Sequence, residues 1–150
     1  LKEVKKWINF RHRLVPYLYH TACQTHQSGI TMIRQLVMEY PKDPIAKIQN
    51  LSYMLGDALL ISPGFDRDEY ELYLPEGRWQ DIESKEVYEG MTFVHIENKA
   101  FADGGTSLRV FQKEGTSIPL FAQKEVLHVP AQLWKQEDLE FMTFQKKDVD

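Results

Sequence analysis

A single cysteine, Cys23, stands among the 150 residues, which excludes an intrachain disulfide framework and leaves the redox compartment open. No apolar run approaches the ~18 residues a helix needs to cross a bilayer, so a membrane partner is not expected. Charge of one sign is also missing. The net charge is -4 with acids and bases mixed, and the longest basic cluster, Lys2, Lys5 and Lys6, reads as a solvated helix face. A nucleic-acid partner is therefore not expected either, because phosphate neutralisation calls for a basic stripe. No internal repeat or low-complexity segment is visible, and no stretch of these residues reads as a signal peptide. The chain opens on Leu1-Lys2-Glu3 in what reads as mid-helix, without an initiator methionine, and the expectation is a fragment of a longer polypeptide. No compartment follows from any of this.

What is present suits a packed globular structure. Hydrophobic residues make up 43% and aromatics 12%, enough for a core rich in large rings. The length fits one domain, or the tail of one and most of another.

From Val4 to about Ser28 the spacing predicts helix: Val4, Trp7, Ile8, Leu14, Val15, Leu18, Tyr19 and Ala22 recur at three- and four-residue steps along one face. Pro16 removes a backbone donor and disfavours helix at Val15, so a kink or a break into two helices is expected there. Gly29 is a natural cap at the end. The run Thr31 to Pro41, rich in branched residues and closed by proline, reads as a buried strand. Helix, glycine turn and buried strand together make one unit of an α/β fold.

Beyond Pro44 the pattern changes. Tyr53 to Pro63 reads as a strand bent at Gly56. Short strand-like runs follow at Tyr70 to Leu74, Thr92 to Ile96, Ser107 to Gln112, Ile118 to Ala122, Val126 to Val129 and Glu140 to Phe144. Turn residues separate them at Pro75-Glu76-Gly77, Asp103-Gly104-Gly105, Glu114-Gly115 and Pro130. That spacing predicts an antiparallel sandwich. The boundary between the two characters falls near Asp43 to Gln49.

Four blocks, in order, resemble glycoside hydrolase family 31. They are Arg11-His12-Arg13-Leu14-Val15-Pro16-Tyr17-Leu18-Tyr19; the segment Gly29 to Pro41; Tyr53-Met54-Leu55-Gly56-Asp57-Ala58-Leu59-Leu60-Ile61-Ser62-Pro63; and Leu72 to Asp81 with Glu86-Val87-Tyr88-Glu89-Gly90. A fifth, Ile118-Pro119-Leu120-Phe121-Ala122, is similar to a further family segment. The sequence departs from the family pattern at Gln35, at Ser52 and at Gln123-Lys124-Glu125. The resemblance implies an α/β plus all-β architecture: residues 1–45 as the last helix and strand of a (β/α)8 catalytic barrel, and residues 46–150 as the β-sandwich that follows it. It implies an enzyme of the α-glucosidase or α-xylosidase kind, acting on a carbohydrate, with the rest of the barrel as this segment's partner.

The family's mechanism is retaining, with two carboxyl groups about 5–5.5 Å apart bracketing the scissile bond. The resemblance places both on earlier barrel strands, so no catalytic residue is assigned here and the segment alone is expected to be inactive. The densest acidic cluster, Asp66, Asp68, Glu69 and Glu71, reads as solvated. His20, Cys23 and His26 sit three apart on the first helical run, which turns them around the axis, and a flank packed on the barrel is the simpler reading. No metal and no cofactor are expected.

Arg34 lies within an apolar run, and a buried guanidinium needs an anion. Its alternatives are an active-site floor residue ordering a carboxylate, or a structural ion pair with Glu39 or an upstream acid; the second is the commoner fate of a buried charge and is preferred. Glu39 and Tyr40, at the C-terminal end of the expected barrel strand, are candidates for the substrate-binding rim, since barrel active sites gather at that face. Trp79, Tyr73, Tyr88 and Trp134 open a rival reading, a non-catalytic sandwich module whose rings stack on sugar, against the usual burial of tryptophan in sandwich cores.

Overall fold

The computed structural model describes residues 2–64, 68–97, 108–122 and 131–148. Two helices open the chain, α1 (Lys2–Arg13) and α2 (Val15–Ser28). They break at Leu14, and Pro16 falls in the first turn of α2, where a missing N–H costs nothing. Gly29 ends α2 in the left-handed region (φ 76°), its N–H bonded to the Thr25 carbonyl at 2.9 Å.

The run expected as one buried strand from Thr31 to Pro41 divides. Only Ile33–Gln35 is strand (β1), and the chain then coils into a helical turn, α3 (Leu36–Glu39). Nor is β1 buried along its length: Arg34 points inward while Ile33 is 62% exposed. Short apolar runs do not distinguish helix from strand by periodicity, and here Leu36 reaches the core by turning rather than by extending.

The segment expected as one bent strand, Tyr53 to Pro63, is a hairpin of β2 (Tyr53–Leu55) and β3 (Leu59–Ser62), with Gly56 at φ 65° in the turn. Six further strands follow among the described residues. They are β4 (Glu69–Leu74), β5 (Arg78–Asp81), β6 (Val87–Glu89), β7 (Thr92–Glu97), β8 (Arg109–Lys113) and β9 (Thr116–Phe121). Two 3-10 turns, Ala131–Leu133 and Gln136–Asp138, precede β10 (Leu139–Phe144). β5 and β6 have no clear sequence signature, being short and set among turn residues. The strand expected at Val126 to Val129, the turns at Asp103 to Gly105 and at Pro130, and Gln123-Lys124-Glu125 lie outside the described residues.

All described pairings are antiparallel. A central sheet runs β1-β2-β3-β8-β5-β6, and β4 pairs with β7 and β9 with β10 as separate ribbons. The central sheet is covered on both faces, which explains why β3 reads Leu-Leu-Ile-Ser without alternation and is buried at every position. Leu60, opposite Met54 and Phe111, faces one core together with Trp79 and with Leu72, Leu74 and Ile96 of the β4–β7 ribbon. Leu59 and Ile61 face the other core, closed by Leu14 and Tyr17 of the helices and by Ile118 and Leu120 of β9. Burying each such aliphatic chain is worth about 1.5–3 kcal/mol. The chain is mostly antiparallel sheet with few helices, as a β-sandwich requires.

Candidate functional site

β1 and α3 bring the singled-out charges together. Arg34 is 5% exposed. Its Nε donates to the Thr31 carbonyl at 2.7 Å and its Nη1 to Glu39 Oε1 at 2.6 Å. The helical turn makes this pair possible: in a continuous strand, residues five apart point to opposite faces and stand about 16 Å apart. Coiling at Leu36 returns Glu39 over Arg34. The Glu39 side chain keeps 26% of its surface exposed, so the carboxylate bridges a buried cation and solvent.

Tyr40 follows Glu39 and caps α3, its N–H on the Leu36 carbonyl at 2.8 Å. Its ring packs against the first core, with the Lys113 ammonium 5.1 Å from the ring centroid. Burial raises the Tyr40 hydroxyl above the ordinary tyrosine value, the Lys113 charge opposing. Next to it lies Asp43, which sequence reading did not single out. Asp43 Oδ1 accepts the Ile45 and Ala46 N–H groups at 2.8 and 3.2 Å, and Oδ2 accepts the Tyr73 hydroxyl at 2.6 Å. Burial acts upward on this carboxyl, but the three hydrogen bonds outweigh it and hold it below the usual value. Tyr73 is pushed up to about 12 by its own burial and by the Asp43 carboxylate. The signal for Asp43 was there: an Asp directly before proline is turn chemistry.

A second polar cluster joins the helices to the sheet. The Tyr17 hydroxyl donates to the Leu55 carbonyl at 2.6 Å and accepts the Ala58 N–H at 3.2 Å, fastening α2 to the β2–β3 turn. Burial pushes that hydroxyl up to about 12.

The aromatic residues considered as sugar platforms divide. Trp79 is fully buried, its Nε1 donating to the Pro75 carbonyl at 2.8 Å, and Tyr73 is 1% exposed, so neither offers a face to solvent. Tyr88 lies edge-on to Phe111 with its hydroxyl on Glu86. Trp134 stands edge-on to both Tyr19 and Phe121, at 5.7 and 5.0 Å between centroids. Of the acidic cluster, Glu69 and Glu71 lie on the exposed face of β4 and straddle His95 of β7, at 3.6 and 2.8 Å; Asp66 falls outside the described residues. The hydrogen bond to Glu71 raises His95 above its ordinary value. Among the described residues no group of three or more His, Cys, Asp or Glu could hold a metal, His20, Cys23 and His26 included.

Comparison with known proteins places this geometry. The family model for the glycosyl hydrolase family 31 C-terminal domain matches residues 29–125. The isomaltosyltransferase of Sporosarcina globispora is 32% identical over 122 residues, 80% of this chain and 11% of that one. Human neutral alpha-glucosidase AB is 34% identical over 113 residues, 73% of this chain and 11% of that one. The cycloalternan-forming enzyme from Listeria monocytogenes, solved with a pentasaccharide substrate, superposes with a TM-score of 0.76 at 32% identity, over 93% of this chain and 13% of that one. A family 31 dextranase of Flavobacterium johnsoniae gives 0.68 at 30% identity, over 77% of this chain and 14% of that one. The chain spans about a tenth of the length of the curated relatives it matches. With the family model covering residues 29–125, the chain belongs to glycosyl hydrolase family 31.

Proposed function

We propose that this chain is the C-terminal portion of a retaining α-glycosidase that hydrolyses terminal α-linked glucosyl or xylosyl residues, with its catalytic carboxylates upstream. The family match over residues 29–125 carries the reading. In it the segment is a buttress: α1 and α2 close a (β/α)8 barrel, with a division near residue 45, and the sheets form the sandwich behind it. Residues 1–45 are taken as the last helix and strand of that barrel; β1 pairs antiparallel with β2, and the helix pair is the feature that supports this part of the reading. Glu39 and Tyr40 are the residues assigned to the rim, with Arg34 as the structural cation that fixes Glu39. The carbohydrate belongs to the parent enzyme's barrel, and the parent's barrel is the partner of this segment.

The experiment is turnover of p-nitrophenyl α-glucoside and α-xyloside by the parent, with the anomer released first followed by NMR. The α-anomer from the parent and no turnover by the 150-residue chain are expected; the β-anomer first would overturn the retaining assignment. A second reading, transfer to another sugar in place of water, is favoured by the similarity to an isomaltosyltransferase. Oligosaccharide products longer than the donor would select it. Burial of Trp79 weighs against the rival sugar-binding module.

A further inference from the structure

The β9–β10 ribbon carries one large exposed ring. Phe141 is 59% exposed and pairs in register with Pro119, and the neighbouring pair, Ser117 and Thr143, joins its hydroxyls at 2.8 Å. Beside Phe141, the ribbon, α2 and the β2–β3 turn frame an open cleft of about 400 Å³, within the size range of small-ligand sites. α2 contributes His20 to its lining, and the turn contributes Asp57. Both side chains are exposed, and among the described residues neither makes a hydrogen bond or an ion pair. A second cleft, on the α1 side, shares the Phe141 ring with the first, so the ring stands as a ridge between two depressions.

A lone exposed phenylalanine is ordinary, and so are exposed polar side chains. Their convergence on one concavity is what points to a ligand. The ring and Pro119 give an apolar surface, the Asp57 carboxylate only accepts hydrogen bonds, and the His20 ring and the Ser117 hydroxyl can donate and accept. A neutral hexose matches that set. Its C–H face is apolar and lies against an aromatic ring, while its edge carries hydroxyls that are donors and acceptors at once. An apolar protein layer matches it badly, because it would bury a carboxylate and an imidazole without partners. An organic cation would use Asp57 and the ring but gain nothing from His20. We infer that this cleft binds a hexosyl unit of an oligosaccharide, with Phe141 and Pro119 against the sugar face and Asp57 and His20 on its hydroxyls. The choice of an α-linked glucan as probe rests on the proposed function; the chemistry of the cleft does not.

The test is calorimetric titration of the full-length parent with maltotetraose whose glycosidic oxygens are replaced by sulfur, so that no turnover accompanies binding. Phe141→Ala and Asp57→Asn are compared with Phe93→Ala, which removes a half-exposed ring on β7 outside the cleft. All three side chains are exposed, and unchanged melting of each variant verifies the fold. Phe141→Ala and Asp57→Asn are each expected to weaken one binding component at least tenfold, and Phe93→Ala to retain it. Isotherms of the two cleft variants that coincide with that of the unsubstituted parent would overturn the inference. Weakening by Phe141→Ala with no effect of Asp57→Asn would also overturn it, since the carboxylate would then recognise no hydroxyl. Hydrolysis of p-nitrophenyl α-glucoside by the same samples separates the two failures. A parent without turnover that loses the component in both cleft variants sinks the proposed function and keeps the cleft; an active parent with coincident isotherms does the reverse.

Discussion

A side-chain methyl at Gly56 would lie 2.3 Å from the hydroxyl oxygen of Tyr17, so the hydroxyl that ties α2 to the β2–β3 turn occupies the space this glycine leaves. Gly56 is also at φ 65°, where L side chains are strained. Gly56→Ala is therefore expected to destabilise the fold by about 2–4 kcal/mol, from backbone strain of ~1–2 kcal/mol and a steric clash of similar size. Tyr17→Phe removes the hydroxyl and strands the Leu55 carbonyl and the Ala58 N–H, at about 1–3 kcal/mol. Denaturant midpoints for the single variants and for Gly56→Ala with Tyr17→Leu read the coupling. Strict additivity would mean the two residues do not share that space.

Glu39→Gln leaves the Arg34 guanidinium buried without its counter-charge. Because the carboxylate is a quarter exposed, the expected loss of about 2–3 kcal/mol falls below the 3–5 kcal/mol typical of a fully buried pair. Arg34→Met with Glu39→Leu should cost less than Glu39→Gln alone, since both charges then leave together. The parent's kinetics test the rim assignment separately: a raised KM at unchanged melting temperature would place Glu39 on substrate, and melting loss alone would leave it as the partner of Arg34.

His95 provides a pH signature. Its hydrogen bond to Glu71, with Glu69 and Glu97 adding negative charge, raises its pKa above the ordinary 6.5. A raised folded value means the stabilisation is fully present below the ordinary histidine pKa and is lost as pH rises through the folded one. The site is open to solvent, so salt should shrink the effect. An NMR titration of the His95 ring should give a midpoint above 6.5 that falls back toward it in Glu71→Gln. A midpoint indifferent to that substitution would refute the pairing.

Trp79 fills the first core, with its indole N–H on the Pro75 carbonyl. Trp79→Ala should cost about 3–5 kcal/mol. Trp79→Phe should cost less, leaving chiefly an unpaired carbonyl. Maltose or isomaltose should leave the fluorescence of this buried ring unquenched and unshifted; a saturable response that disappears in Trp79→Phe would restore the sugar-platform reading.

Residues 1–50 should not fold by themselves. Leu14 and Tyr17 are buried against Leu59, Val110 and Ile118, all of which lie outside that stretch. Circular dichroism of the isolated segment should show little helix and no cooperative melt.

How much of this was legible in the sequence follows from the range of the forces involved. Proline at position 16 and glycine at position 29 act on their own backbone, so the break between the helices and the end of α2 could be placed without tertiary information. β4, β7 and β10 were legible for a similar reason: each is a six-residue run in which strand-forming residues predominate. The Thr31 to Pro41 run was not, because a short apolar segment is extended or coiled according to which core it must reach. The ordered motif blocks announced the family. Which aromatic ring would be exposed they left open, since burial depends on what packs from elsewhere.

By itself, then, the sequence determined the local punctuation, the antiparallel character of the second part and the family. Only the tertiary structure decided that β1 joins β2, that Glu39 turns back onto Arg34, that Asp43 receives Tyr73 and that the helices close one face of the sheet. Each of those contacts depends on where the chain meets itself again. Such meetings are set by the shape of a shared core, which no local run of residues contains.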